Sequence, residues 1–353
     1  MAQLTELQAR NLRALEDIDL APDGRANLVT GHNGAGKTTL LEAIYLLSRG
    51  RSFRGSDLRQ LVAHGKPAAA ISGTVAVGEA ERRLGLTISG RSARARLDGA
   101  DAARRPEIAR LLPVLNLDAR LMDLVDRGPE RRRLLLNWVT FHVEPGFNAA
   151  WRRFRRALRQ RNASLRQGAG ANAIAAWDGE FCRAALEMEA VRKAVAERLR
   201  PRFAKIAARL TGTPADWDYH PGWPREDSLE EILRAGLDGD RKQGNTRFGP
   251  QRADLVLRLG SRRARYIASR GQQKLLASSL MLAAAEVLET EGANRPVLLV
   301  DEPLVELDAD HGQELLKAFV ERGAQLFIAA VETTPYRRWM EAREIRMKEG
   351  ALV

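Results

Sequence analysis

The chain has 353 residues, 44% hydrophobic and 29% charged, a length and balance that read as soluble, globular and large enough for more than one domain. Its formal net charge of +12 and pI near 10.4, carried mostly by Arg, point to an anionic partner, nucleic acid before others. A lone Cys182 excludes an internal disulfide and fits a reducing compartment, no secretory leader pattern is present, and the most apolar helical stretch, Leu275 to Leu288, is too short to span a bilayer, so a cytoplasmic protein with no membrane role is expected.

The opening residues alternate, Leu4, Glu6 and Gln8 interleaving with Thr5, Leu7 and Ala9, and Asn11-Leu12-Arg13 leads on to Ile18 and Leu20. This predicts two strands joined by a turn. After the Pro22-Asp23-Gly24 turn, Ala26-Asn27-Leu28-Val29-Thr30 reads as a buried strand. Next comes Gly31-His32-Asn33-Gly34-Ala35-Gly36-Lys37-Thr38, which fits the phosphate-loop pattern G-x-x-x-x-G-K-[ST] without a mismatch, and from Thr39 to Leu47 apolar residues recur at helical spacing. Gly31, Gly34 and Gly36 let successive N–H groups face a polyphosphate at the positive end of the helix. The nucleotide would lie on Asn33, Gly34, Ala35, Gly36, Lys37, Thr38 and Thr39, with Lys37 reaching the β- and γ-phosphates and the Thr38 hydroxyl a ligand to Mg²⁺.

Arg49-Gly50-Arg51-Ser52-Phe53-Arg54 follows as a compact basic loop, either solvated or, through Arg51 and Arg54, in contact with nucleotide or DNA. Short β-like runs at 70–77, 83–88 and 93–97, the last ending in Asp98-Gly99, predict an antiparallel layer. Beyond Leu121 the chain becomes helical and Arg-rich, with interruptions at Gly128-Pro129, Pro145-Gly146, Gly168-Ala169-Gly170 and Pro214, which suggests an inserted domain. Within it Trp151, Phe154, Leu158 and Leu165 form one helical stripe. Arg152, Arg155, Arg156 and Arg159 gather on an adjacent face, either a solvated surface or one that follows a phosphate backbone. Trp217, Tyr219 and Trp223 are read as packing residues rather than a stacking platform for bases.

Toward the C-terminus, Ser269-Arg270-Gly271-Gln272 precedes the apolar helix, with Ser269 placed to cap it. Pro296-Val297-Leu298-Leu299-Val300 then leads to Asp301-Glu302, a buried strand ending in two carboxylates. Asp301 suits a Mg²⁺ or water contact, and Glu302 a general base or water-positioning role beside Lys37. Glu306-Leu307-Asp308 follows.

A phosphate loop, a distant S-x-G-Q, an Asp-Glu strand and an E-L-D turn together resemble an ABC-type ATPase head. Further stretches resemble the RecF family of DNA replication and repair proteins: Leu41-Glu42-Ala43-Ile44-Tyr45, Gly50-Arg51-Ser52-Phe53-Arg54, Gly128-Pro129 with Arg132-Arg133, Phe141-His142, Glu144-Pro145-Gly146-Phe147, Gln160-Arg161-Asn162, and Gly249-Pro250 with Asp254-Leu255. The resemblance covers nearly the whole chain. It implies an α/β fold: a P-loop ABC-type ATPase head (1–121 and 245–353) with an antiparallel β layer and an inserted helical arm (122–244). It further implies ATP with Mg²⁺, a weak ATPase, and an ATP-dependent homodimer in which Ser269, Gly271 and Gln272 of one copy touch the nucleotide of the other. Duplex DNA near gaps or junctions and RecO and RecR proteins, acting with them to load RecA recombinase, are the implied partners. The chain departs from the family's pattern near Leu115-Asn116, where a glutamine is usual, at Asn137, at Glu302 in place of a second Asp, at Val305, and at Glu332-Thr333-Thr334, which offers no histidine. Competing readings are a non-enzymatic DNA-binding scaffold with structural ATP and a transporter-type ATPase subunit.

Overall fold

The computed structural model describes residues 2–102, 105–224 and 226–353. The chain divides into two compact units, Met1–Leu121 with Leu288–Val353, and Met122–Val287. The sequence reading returns the chain to the head at residue 245, whereas in the structure residues 245–287 belong to the second unit. The reason lies in a strand pairing: Asp254–Leu259 runs antiparallel to Ala215–His220 over its whole length, which keeps it with the helical segment.

The first unit holds two sheets. One is antiparallel, in the order Leu15–Leu20, Ala2–Leu12, Ala69–Val77, Ala80–Ser89, Ser92–Leu97, Ala100–Asp101. In the first strand Leu4 faces the core and so do Leu7 and Ala9, a change of parity that simple alternation forbids. A register shift between Leu4 and Glu6 accounts for it, since an extra residue flips every side chain that follows. Asp98-Gly99 turns tightly with φ of 51° and 84°, the left-handed pair that an Asp-Gly hairpin needs.

The other sheet runs in the order Ala351–Leu352, Arg343–Lys348, Ala26–Thr30, Leu326–Ala330, Val297–Asp301, Val114–Leu117. All its pairs are parallel except the terminal one between Arg343–Lys348 and Ala351–Leu352. Every residue of Ala26–Thr30 and Leu326–Ala330 is buried; the second strand is a continuous apolar run, and in the first the buried Asn27 is satisfied by donating to the Asp23 carbonyl at 2.8 Å. The helix Lys37–Arg49 carries Leu40, Leu41, Ala43, Ile44, Leu46 and Leu47 into one cluster with Leu7, Ile71 and Leu84 of the first sheet and Val29, Leu299 and Phe327 of the second. A helix apolar nearly all round is one packed nearly all round. It ends at Gly50, whose φ of 61° lets its N–H reach the Leu46 carbonyl at 2.7 Å.

The second unit is largely helical, and its breaks fall at the Gly and Pro positions predicted for them, with one more, unpredicted, at Ala176-Trp177. Helices Glu130–Val143, Phe147–Arg166, Ala171–Ala175 and Asp178–Thr211 are separated at 144–146, 167–170 and 176–177, and the last ends before Pro214. Phe147, Phe154, Phe181, Cys182, Met188 and Leu233 share its core, so Cys182 is a packing residue. Burial pushes its thiol up to about 11 and keeps it unreactive. Residues 215–220, expected within the helical stretch, form a strand instead, because Ala215 and Trp217 alternate inward. Trp217 packs on Phe203 with ring centroids 5.0 Å apart, and the Tyr219 hydroxyl donates to Glu189 at 2.7 Å. No helix among the described residues is long and apolar enough to cross a membrane.

Candidate functional site

The site is built where the parallel strands of the first unit end. Ala26–Thr30 and Val297–Asp301 flank Leu326–Ala330, with Thr30 level with Ala330 and Asp301 level with Ala329. The glycine loop that leaves one strand and the carboxylates that end the other therefore open into the same crevice, at the carboxyl ends of the strands.

The loop needs its glycines for distinct reasons. Gly31 has a φ of 143°, and a Cβ there would lie 2.3 Å from the Met347 carbonyl oxygen. Gly36, at φ 104°, would press a Cβ against Leu15 at 2.9 Å. The helix begins directly after it, Leu40 N–H donating to the Gly36 carbonyl at 2.9 Å. Lys37 is 6% exposed, and its ammonium group turns back to donate to the carbonyls of Gly31 at 2.7 Å and His32 at 3.2 Å. A cation so held is preorganised for an anion entering the loop.

Thr38 and Asp301 join the two halves. The threonine hydroxyl donates to Asp301 Oδ2 at 3.0 Å across 263 residues of sequence. Burial pushes the Asp301 carboxyl above the usual range; Thr38 and Lys37 oppose this, and the Asp118 carboxylate reinforces it. Glu302 follows in a left-handed conformation, φ 49°, with its N–H on the Ala329 carbonyl at 2.9 Å. Such a conformation is costly for a residue with a side chain and persists only where surrounding contacts impose it. Glu302, Asp301 and residues 33–39 line one cavity of 460 Å³. The structure thus gathers Asn33, Gly34, Ala35, Gly36, Lys37, Thr38, Thr39, Asp301 and Glu302 around one space of the size of a small-molecule site.

Three further residues share those walls: Arg13, Ala14 and Arg54. Arg54 is among the residues read from sequence as meeting nucleotide or DNA. Arg13 and Ala14 sit in the turn of the first hairpin, where no motif or periodicity marks them as site residues. A local sign is in the backbone, where Asn11 and Arg13 are left-handed, at φ 53° and 51°.

The remaining predicted residues lie elsewhere. Ser269, Gly271 and Gln272 open the helix Arg270–Thr290, and Ser269 caps it as expected. Its hydroxyl accepts from the Gln272 N–H at 3.3 Å, while the Gln272 side chain accepts from the Ser269 N–H at 3.0 Å, a capping box. Arg51 is exposed in the loop after the first helix. Arg152, Arg155, Arg156 and Arg159 are all exposed on the helix Phe147–Arg166. None of the four is ion-paired with an acidic group among the described residues, whereas Arg153 on the same helix is bound to Glu187. Arg155 instead lies over the Trp151 ring, 5.5 Å from its centroid. Of the positions that depart from the family's pattern, Asn116 donates to Asp118 at 3.1 Å and Asn137 accepts from Arg192 at 2.7 Å.

Residues 3–352 match the family described as the RecF/RecN/SMC N-terminal domain. The chain is 36% identical to the DNA replication and repair protein RecF of Pseudomonas syringae pv. tomato, over 93% of this chain and 91% of that one. It superposes on a solved structure of "the recombination mediator protein RecF-ATPrS in RecFOR pathway" with a TM-score of 0.88 and 25% identity, covering 99% of this chain and 97% of that one. An SMC head bound to the C-terminal winged-helix domain of ScpA, at 16% identity, has the same fold with a TM-score of 0.64, covering 99% and 96% of the two chains. The fold is thus that of the ABC-type ATPase heads, and the chain belongs to the RecF family of DNA replication and repair proteins.

Proposed function

We propose that the chain is an ATP-dependent, DNA-binding recombination mediator: a weak ATPase that dimerises on ATP, binds duplex DNA at or near single-strand gaps and junctions, and helps to load RecA recombinase. The observation that carries the reading is the Thr38 to Asp301 hydrogen bond inside a cavity that also holds the glycine loop, Lys37 and Glu302. The loop N–H groups and Lys37 bind the polyphosphate. Thr38 and Asp301, two hard oxygen donors 3.0 Å apart, would hold Mg²⁺, which prefers few protein ligands beside substrate phosphates and would neutralise phosphate charge when bound. Glu302 orients the attacking water and accepts its proton as the water oxygen bonds to the γ-phosphorus; the bond to the β,γ-bridging oxygen breaks and ADP leaves.

The solved RecF relative described with ATPrS in the RecFOR pathway supports ATP as the nucleotide and RecO and RecR proteins as partners. In the proposed dimer Ser269, Gly271 and Gln272 of the second copy complete each site. DNA lies along the guanidinium groups of Arg152, Arg155, Arg156 and Arg159, with Arg51 as a further contact, in the cytoplasm.

Light scattering with ATP, ADP or no nucleotide, each with and without a gapped duplex, tests the reading. Dimers and tighter duplex binding are expected only with ATP, and both should vanish in Lys37→Ala. Equal duplex affinity in all three states would reject the gating.

A further inference from the structure

Glu42 lies on the helix that follows the glycine loop and is completely buried, its side chain 0% exposed. A carboxylate taken out of water is tolerated only when its oxygens are fully partnered. Those partners are specific. Arg13 Nε donates to Oε2 at 2.7 Å and Nη2 to Oε1 at 3.1 Å, a two-point clamp. The third nitrogen, Nη1, donates to the Gln60 carbonyl at 3.2 Å, so all three nitrogens of the guanidinium are anchored. The Ser52 hydroxyl also donates to Oε1, and it accepts from the N–H groups of Arg54 at 2.8 Å and Gly55 at 3.2 Å, which shapes the basic loop. Arg54 itself lies looser, 3.7 Å from Oε2 and 44% exposed. Both arginines stand in the wall of the cavity that holds residues 33–39, Asp301 and Glu302.

We propose that Glu42 is a positioning residue for nucleotide phosphates: it fixes Arg13 as a preorganised cation in the cavity wall and ties residues 52–55 to the same site. The inference rests on the nucleotide reading of that cavity. A guanidinium with its rotamer already fixed by Glu42 loses little freedom when its remaining N–H groups meet an anion.

Charge sign separates this role from simple electrostatics. Removing a negative charge beside a polyanion site should by itself tighten binding, whereas losing the clamp on Arg13 should weaken it. Isothermal titration of the full chain with ATP is the test, because it reports affinity and the number of competent sites separately. Glu42→Gln should bind about tenfold more weakly with unchanged stoichiometry, as expected for losing charge-assisted hydrogen bonds. Arg13→Ala should show a similar loss, and the double variant no more than Arg13→Ala alone. Unchanged or tighter binding by Glu42→Gln, additive losses, or fewer sites at unchanged affinity would each overturn the proposal. Should Glu42→Gln fail to fold, Arg13→Lys keeps the charge without the two-point clamp; binding equal to the parent chain would then overturn it. Failure of the parent chain to bind ATP would instead remove the nucleotide reading itself.

Discussion

The Thr38 hydroxyl sits 3.0 Å from Asp301 Oδ2, a single hydrogen bond that does not offset the burial raising that carboxyl above its usual range. Because the folded-state pKa is raised, the native chain holds its proton to higher pH than the unfolded chain does. Ionised Asp301 therefore costs stability above the ordinary carboxylate range, and the cost disappears at lower pH, where both states are protonated. Asp301→Asn keeps an acceptor for Thr38 and removes the charge. Its melting temperature should exceed that of the parent chain at pH 7, the gain should fade as pH falls through the carboxylate range, and Mg²⁺-dependent nucleotide binding should weaken. Thermal melts across pH check this; a variant less stable at pH 7 would contradict it.

Glu302 is held in a left-handed conformation, at φ 49°, in the wall of the cavity. Glutamine has the same backbone preference and nearly the same shape, so Glu302→Gln should leave folding and ATP affinity unchanged. It should slow phosphate release by about 10²-fold or more, the scale of a lost general base. The ATP-bound dimer should then accumulate, visible by light scattering. Normal turnover would reject Glu302 as the base.

Much of this site is legible in sequence because its chemistry is written in contiguous runs. Residues 31–38 and 297–302 each join a strand end to its functional groups, and the sheet brings the two runs together. What the sequence hides depends on distant pairing. Arg13 belongs to the cavity only because the first hairpin folds over the loop helix and Glu42 clamps it. The strand Ala215–His220 is hard to read because the strand it pairs with, Asp254–Leu259, lies 34 residues further on, beyond two intervening helices. The bulge between Leu4 and Glu6 breaks an alternation that looks regular on paper. The same long-range pairing of Asp254–Leu259 carries the end of the second unit from 244 to 287.

Arg161 gives the second unit a single point of failure. Its side chain is 0% exposed and donates to Asp178 and Asp240, each at 2.7 Å, with Thr246 at 2.8 Å. Asp240 is equally buried, and without the arginine its Oδ2 loses its partner and only Arg247, 3.0 Å from Oδ1, still compensates its charge. Arg161→Met should cost about 3–5 kcal/mol. Adding Asp240→Leu removes the half-compensated carboxylate and leaves Arg247, about one-third exposed, to water, and should recover part of that loss. Urea denaturation of the two variants measures both effects; a single variant within about 1 kcal/mol of the parent would show that the pair contributes little.

Arg152, Arg155, Arg156 and Arg159 stand exposed on one helix, without acidic partners among the described residues, a cost in self-repulsion that an anionic ligand would relieve. If each meets a DNA phosphate, its replacement removes one released counterion, so the slope of log affinity against log salt should shallow by about 0.9 for each phosphate no longer neutralised. Replacing all four with Ala should therefore flatten the slope by roughly three to four and weaken duplex binding at low salt by orders of magnitude. The weakening should be uniform across sequences, since phosphate contacts carry no base information. Arg153, already bound to Glu187, supplies the control: Arg153→Ala should leave the slope nearly unchanged. Fluorescence anisotropy of a labelled duplex at several salt concentrations distinguishes the two variants, and equal slopes in both would move the DNA surface away from this helix.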